Sequence, residues 1–183
     1  MNDPDKTELL RLFGILVDER RQGFPMDGQV WEASLQIFPQ VAIETVFLRR
    51  VNDGTAGGAI EVLLTQRPPD DRWFASQIHS PGSINRARER TDVTIARVVK
   101  RELGGSAKLI SARQVAALNF WDEPRGCGWS VVYCCEVEGD PTNGTWYPIT
   151  QLPENLIYGH FNVIMVAASV LLAEPRPFGK WSW

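Results

Sequence analysis

The residues best suited to chemistry lie in and just before the stretch ARVVKRELGG, positions 96–105. A helix places side chains at i, i+3 and i+4 on one face, so Val98, Arg101 and Glu102 project together there. One is apolar, one cationic and one acidic. A carboxylate is an oxygen ligand for a hard divalent cation, whereas a guanidinium offers five donors and no acceptor, and recognises phosphate directly. Upstream, Arg86, Arg88 and Arg90 alternate in NRARER with Glu89 among them, a pattern that suits a phosphate partner and equally a solvated loop. Further acids that a cation or a water molecule would need are Asp122 and Glu123 in WDEPRG, and Glu136 and Glu138 in CCEVEG.

Those groups need elements to hold them. Asp5 and Glu8 form a capping-type pair before Leu9, Leu12, Phe13 and Leu16, which recur at helical spacing up to Gly23. A second short helix is expected after Asp27, carrying Val30, Trp31 and Leu35 and ending before Pro39. Residues 1–39 therefore read as an N-terminal helical extension that packs on the body or on a second copy, and residues 40–183 as the main domain. From Val41 the period changes: VAIETVFLRRV and AIEVLLTQR are β-rich runs joined by the glycine-rich NDGTAGG as a hairpin. RWFASQIH reads as another short extended piece. A helix with its N-cap at Thr91 ends at Gly104, and KLISARQVAALNFW, GWSVVYCCEVEG and GTWYPITQLP follow as strands separated by turns. Pro153 to Ala173 reads as a mostly buried final helix, and the tail FGKWSW, with two tryptophans, as docked on the body. Strands, a helix, more strands and a last helix imply an α+β class.

Composition narrows the function. With 183 residues and 44% hydrophobic content the chain can build one full core. A net charge of -3 gives no global attraction to nucleic acid or to an anionic membrane. Three cysteines, two of them adjacent on one strand, make neither a disulfide framework nor a zinc spacing. The acidic start is not a signal peptide, and the 13-residue apolar run FNVIMVAASVLLA is shorter than the roughly 20 residues a membrane span requires. A cytoplasmic protein with no nucleic-acid and no membrane partner is the expectation. His79, one of two histidines, reads as a hydrogen-bonded structural residue, Cys127 as a loop thiol, and Trp121 and Trp129 as candidates to stack on a base.

The segment SPGSINRARERTDVTIARVVKRELGG resembles the loop-helix-loop motif of the Nudix superfamily, G-x5-E-x7-R-E-U-x-E-E-x-G-U with U apolar. With the motif's final glycine on Gly104, Ser83 stands at the opening glycine, Glu89 at the first glutamate and Arg97 at the arginine. Val98 replaces the next glutamate, Val99 keeps the apolar position, Arg101 and Glu102 occupy the paired glutamates, and Gly105 takes the last apolar position. EVLLTQR, RWFASQIHSPGS and GTWYPITQLPENLIYGH are similar to the flanking segments, so the likeness covers roughly residues 41–173.

The resemblance implies a Nudix-like α/β/α sandwich with a mixed β-sheet, a possible homodimer, and hydrolysis of a nucleoside diphosphate derivative with Mg2+ or Mn2+ held by glutamates. It makes Glu102 and Glu89 the catalytic acids, Glu102 the remaining helix ligand for metal, and Arg97 the partner of a nearby glutamate, Glu89 or Glu102, that fixes the loop. Arg101, Arg97 and Trp121 are then the candidates to contact substrate. Valine cannot ligate, and a guanidinium places a permanent positive charge beside the ion's position, so ordinary metal binding is expected to be impaired. Two functions follow: a divergent Nudix-type hydrolase, or a catalytically inactive nucleotide-binding or protein-interaction module in which Arg101 meets phosphate itself.

Overall fold

The computed structural model describes residues 3–22, 28–35, 37–52, 54, 58–86 and 88–173. Helix α1 spans Asp3–Gln22 and α2 Gly28–Leu35. Asp5 lies inside the first turn of α1, and Glu8 turns its carboxylate to Arg11 at 2.7 Å instead of closing a capping box. Gly23, Asp27 and the tail from residue 174 onward, on which three of the expectations rest, lie outside the described residues.

Strands β1 (Gln40–Val51) and β2 (Ala59–Gln66) pair antiparallel, as the alternating β-branched runs require. The segment expected to be extended before His79 is mostly turn, because Asp71 Oδ1 accepts the backbone N–H groups of Trp73 and Phe74 at 3.0 and 2.8 Å. Only Ile78–His79 (β3) joins the sheet, followed by Gly82–Ile84 (β4). Long strands β5 (Lys108–Phe120) and β6 (Gly128–Glu138) form an antiparallel pair, and β7 (Thr145–Pro148) pairs with β2. The order β3-β2-β1-β6-β5, with β1 and β6 parallel and their other neighbours antiparallel, makes the sheet mixed.

Helices cover both faces. In β1 successive side chains alternate, so Ile43 and Phe47 meet Ile95, Val99 and Leu103 on one side, while Val46 and Leu48 meet Val163, Ile164 and Ala167 on the other. This explains why Ile43 to Leu48 are all buried: a strand covered on both faces has no solvent side. The adjacent Cys134 and Cys135 divide between the two cores for the same reason. The helix that packs on Ile43 and Phe47 is α3 (Thr91–Val98), continued by a π turn over Val99–Leu103. Its cap is Arg90, one residue before the expected Thr91, and no side chain closes it. On the opposite face lies α4 (Tyr158–Ala173), which starts later than Pro153 because Leu156 bridges to Ile78 and Ile157 N–H donates to Ile78 O at 2.9 Å. Among the described residues, no helix is long and apolar enough to cross a membrane.

Candidate functional site

Arg97 organises the loop between β4 and α3. Its Nε and Nη2 donate to Glu89 Oε1 and Oε2 at 2.9 and 2.7 Å, Nη1 donates to Ser83 Oγ at 2.7 Å, and Nη2 also reaches Ile84 O at 3.3 Å. Glu89 Oε2 further accepts from Thr94 Oγ1 at 2.9 Å and from Arg86 N–H at 3.2 Å. Arg97 foremost, then Thr94 and the Arg86 amide, hold the Glu89 carboxyl down at about 2 against the cost of its burial. Serine in place of the motif's opening glycine is thereby accounted for, since its hydroxyl accepts a guanidinium hydrogen. Both oxygens of Glu89, expected as a catalytic acid, are engaged in holding this loop.

The helix end carries Arg101 and Glu102 in the π turn, a distortion that re-aims side chains at the close of a helix. Arg101 pairs with Glu102 Oε1 and reaches Gly82 O at 3.5 Å. Glu102 Oε2 is buried without a hydrogen-bond partner among the described residues, and burial, opposed by Arg101, raises its carboxyl above the usual range. Gly105, at the motif's final apolar position, has φ +62°, and a Cβ there would lie 2.4 Å from Asp140 O, so the backbone demands glycine.

A second buried acid stands beside this pair. Glu44 lies opposite Gly82 in the β1–β4 register, is 7% exposed, and leaves Oε2 without a hydrogen-bond partner among the described residues. A Cβ on residue 82 would sit 2.4 Å from Glu44 Oε2, so a side chain there would require the Glu44 carboxyl to shift. Burial foremost pushes the Glu44 carboxyl up to about 8, with Arg125 and Arg67 opposing and Glu102 and Glu123 adding to the rise. Between the usual carboxylate value of 4.5 and about 8 the folded protein then holds a proton that the unfolded chain has released. Stability therefore falls as pH rises through that window, by an amount on the order of a few kcal/mol. Glu44→Gln is expected to flatten the fall, measured as urea unfolding at pH 5, 7 and 9; an unchanged slope would refute the assignment to Glu44.

Two adjoining cavities of about 240 and 220 Å³ form one cleft, with Trp31, Ala42, Arg67, Ile84 and Arg125 common to both. The outer cavity is aromatic, with Trp31, Trp73, Trp129 and Phe120 in its wall. The inner one holds Glu44, Arg101, His79 and His160. The guanidiniums along the cleft are braced by acids: Arg67 by Asp71, Arg72 by Glu32, and Arg125 by Glu123 at 3.3 Å. Each of these pairings uses only a part of the guanidinium's five donors. His79 Nε2 lies 3.1 Å from Thr65 Oγ1, a hydrogen-bonded buried histidine that also borders the inner cavity.

Sequence reasoning and geometry part at several residues. Trp121 is 76% exposed and lies outside both cavities, because the β5–β6 turn directs it to solvent; Trp129 is the one that enters the wall. Of the further acids, Glu123 borders the outer cavity, whereas Glu136 accepts from Ser111 Oγ at 2.9 Å on the sheet and Asp122 and Glu138 are exposed. Cys127 is exposed at the cleft's edge. Of Arg86, Arg88 and Arg90, the last pairs with Asp92. Glu44, Arg67, Arg125 and His160 are cleft residues that motif spacing did not reveal. Glu44 left a trace nonetheless, as a lone acid inside the apolar run VAIETVFL.

A hard divalent cation would need several oxygen ligands here. Glu44 Oε2 and Glu102 Oε2 are the oxygens suited to one, but Arg101 holds the other Glu102 oxygen and contacts Gly82 O. Among the described residues no three acidic, histidine or cysteine side chains converge as a ligand set. As arranged, these residues do not fit a magnesium-type ion, which needs several oxygens in octahedral array.

A mixed sheet between α3 and α4, with the loop-helix-loop at one end, defines the class: the chain has the Nudix fold. It is similar to the NUDIX domain of Shewanella oneidensis NrtR in complex with ADP ribose (TM-score 0.58, 17% identity, 80% of this chain and 99% of that one). It is similar also to a MutT/nudix family protein from Enterococcus faecalis (TM-score 0.58, 17% identity, 95% of this chain and 76% of that one) and to a MutT NUDIX hydrolase from Burkholderia pseudomallei (TM-score 0.54, 20% identity, 70% of this chain and 97% of that one). No family model and no curated protein matches the sequence.

Proposed function

We propose that the cleft binds a nucleoside diphosphate derivative, and that Arg101 supplies beside the phosphates the positive charge that a divalent cation would otherwise supply. The observation that carries this reading is the Arg101 guanidinium on Glu102 and the Gly82 carbonyl, in the wall of the inner cavity. A guanidinium holds phosphate by charge-assisted hydrogen bonds but cannot activate water, so binding persists where metal-assisted cleavage is weakened. The aromatic outer end suits a base, and ADP ribose in the Shewanella domain is a ligand of the same class. Fold likeness alone does not carry function, which resides in the site.

Thermal melts with ADP and ADP-ribose in the presence of EDTA provide the test. At a ligand concentration of 100 Kd, stabilisation of about 2.7 kcal/mol is expected, a rise in melting temperature of roughly 5–10 °C for a chain of this length. A shift that EDTA abolishes overturns the reading. The second reading, a divergent Nudix-type hydrolase, is favoured by one observation, the partnerless oxygens of Glu44 and Glu102 next to Gly82. Turnover with Mg2+ or Mn2+ that Glu102→Gln abolishes would establish it.

A further inference from the structure

The turn before β7 carries the one asparagine of the sequence that is followed by glycine, Asn143–Gly144. Gly144 has φ +93°, and a Cβ on it would lie 2.7 Å from Leu64 O, so the turn itself demands glycine after the asparagine. The backbone thus sets an unhindered nitrogen directly beyond a carboxamide. Asn143 is exposed, and among the described residues no hydrogen bond engages its side chain. Its main chain is tied to the helix end that carries Arg101 and Glu102: the N–H groups of Thr142 and Asn143 donate to Leu103 O at 3.1 and 3.0 Å. A third cavity, of about 710 Å³, joins the same two segments, with Arg67, Arg101 and Glu102 in its wall beside Thr142, Asn143 and Gly144. Arg67 and Arg101 also line the inner cavity, so the two spaces adjoin across these guanidiniums.

We infer that Asn143 is a site of self-modification, converted through its own backbone to aspartate and isoaspartate, and that the carboxylate so formed joins the cavity wall that holds Arg101. The Gly144 nitrogen gives its proton to solvent and attacks Asn143 Cγ, and the new C–N bond closes a five-membered succinimide. The bond from Cγ to Nδ2 breaks, and the side-chain nitrogen takes up a proton and leaves as ammonia. Water then adds to one of the two ring carbonyls; opening at one C–N bond gives aspartate and at the other isoaspartate. The sum is amide plus water to acid plus ammonia, with no oxidant or reductant. Asn85, Asn119, Asn155 and Asn162 precede Arg, Phe, Leu and Val, whose side chains crowd such a ring. The product is ionised at neutral pH. In a wall shared with Arg101 it competes with Glu102 for the guanidinium and repels a phosphate ligand. Isoaspartate also lengthens the main chain by one carbon beside the hydrogen bonds to Leu103 O. The modification stands by itself, and only its effect on a ligand rests on the proposed binding of a nucleoside diphosphate derivative.

The test is incubation of the whole chain at mildly alkaline pH, followed by peptide mapping by mass spectrometry with an isoaspartate assay. The peptide with Asn143 is expected to gain the mass of an amide-to-acid exchange about tenfold faster than those with Asn85, Asn119, Asn155 or Asn162, the equivalent of about 1.4 kcal/mol of barrier. Asn143→Gln, which would have to close a six-membered ring, loses the gain. No gain at residue 143, or aspartate there without isoaspartate, overturns the inference. Isothermal titration with ADP reads the effect on the site: Asn143→Asp is expected to bind about fivefold more weakly than the wild type, the equivalent of about 1 kcal/mol. An aspartate variant with wild-type affinity overturns that effect. Absence of ADP binding by the wild type removes the proposed function and the effect with it, and the mass measurement alone then decides the modification.

Discussion

Arg97→Ala is expected to lower the free energy of unfolding by about 3–5 kcal/mol, the cost of removing one partner from a buried ion pair. The side chains are 18% and 10% exposed, and the guanidinium grips Glu89 through two parallel hydrogen bonds while also reaching Ser83 and Ile84. Alanine leaves Glu89 charged, largely covered, and supported only by Thr94 and the Arg86 amide. The pH dependence has a definite sign. Because the folded Glu89 carboxyl is held at about 2 against an ordinary 4.5, its contribution is full above about 4.5 and is lost as pH falls toward 2. That difference corresponds to about 3 kcal/mol. The alanine variant should therefore show both a lower plateau at pH 7 and a shallower decline in acid. Urea unfolding between pH 2.5 and 7 measures both, and a loss under about 1 kcal/mol at neutral pH would show that the clamp does not hold the loop. Arg97→Lys, which keeps the charge but not the planar fork, should fall between the two.

Arg101→Glu is expected to reverse the site's response to metal. In the wild type the guanidinium lies on Glu102 and touches the Gly82 carbonyl, so manganese should leave the melting temperature unchanged. The substitution frees Glu102 Oε1 and the carbonyl, and adds a carboxylate where Glu44 and Glu102 already present buried oxygens. Without cation the variant should be less stable, because like charges at about 4 Å repel by about 1 kcal/mol in water and about 4 kcal/mol at the effective dielectric of a protein surface. With Mn2+ at 100 Kd it should recover about 2.7 kcal/mol. Differential scanning fluorimetry over a manganese series is the measurement. A wild-type protein that responds as strongly as the variant would mean that Arg101 moves aside readily, and the argument for direct phosphate contact would fail.

The β-branched runs, glycine-rich breaks and helical periods are local signals, and they were sufficient to place strands β1, β2, β5 and β6 and the body of every helix within a few residues. The spacing from Ser83 through Glu89 and Arg97 to Gly104 was equally legible, since a motif of that kind is written in one continuous segment. Helix boundaries were less so. The π turn at Val99–Leu103 and the late start of α4 at Tyr158 depend on contacts with residues distant in the chain, the latter on Ile78.

The amino-acid sequence by itself determined the class of fold and the presence of a fixed positive charge at Arg101, because side-chain chemistry and local period require no neighbours. Only the tertiary structure decided that Glu89 is consumed in the Arg97 clamp, that Trp129 and not Trp121 borders the cleft, and that Glu44, Arg67, Arg125 and His160 meet there. Those residues come from β1, the segment after β2, the β5–β6 turn and the start of α4. Their proximity arises from sheet register and from the packing of α4 on one face, and burial then moves the Glu44 and His160 protonation equilibria; both effects belong to the folded chain and have no signature in residue order.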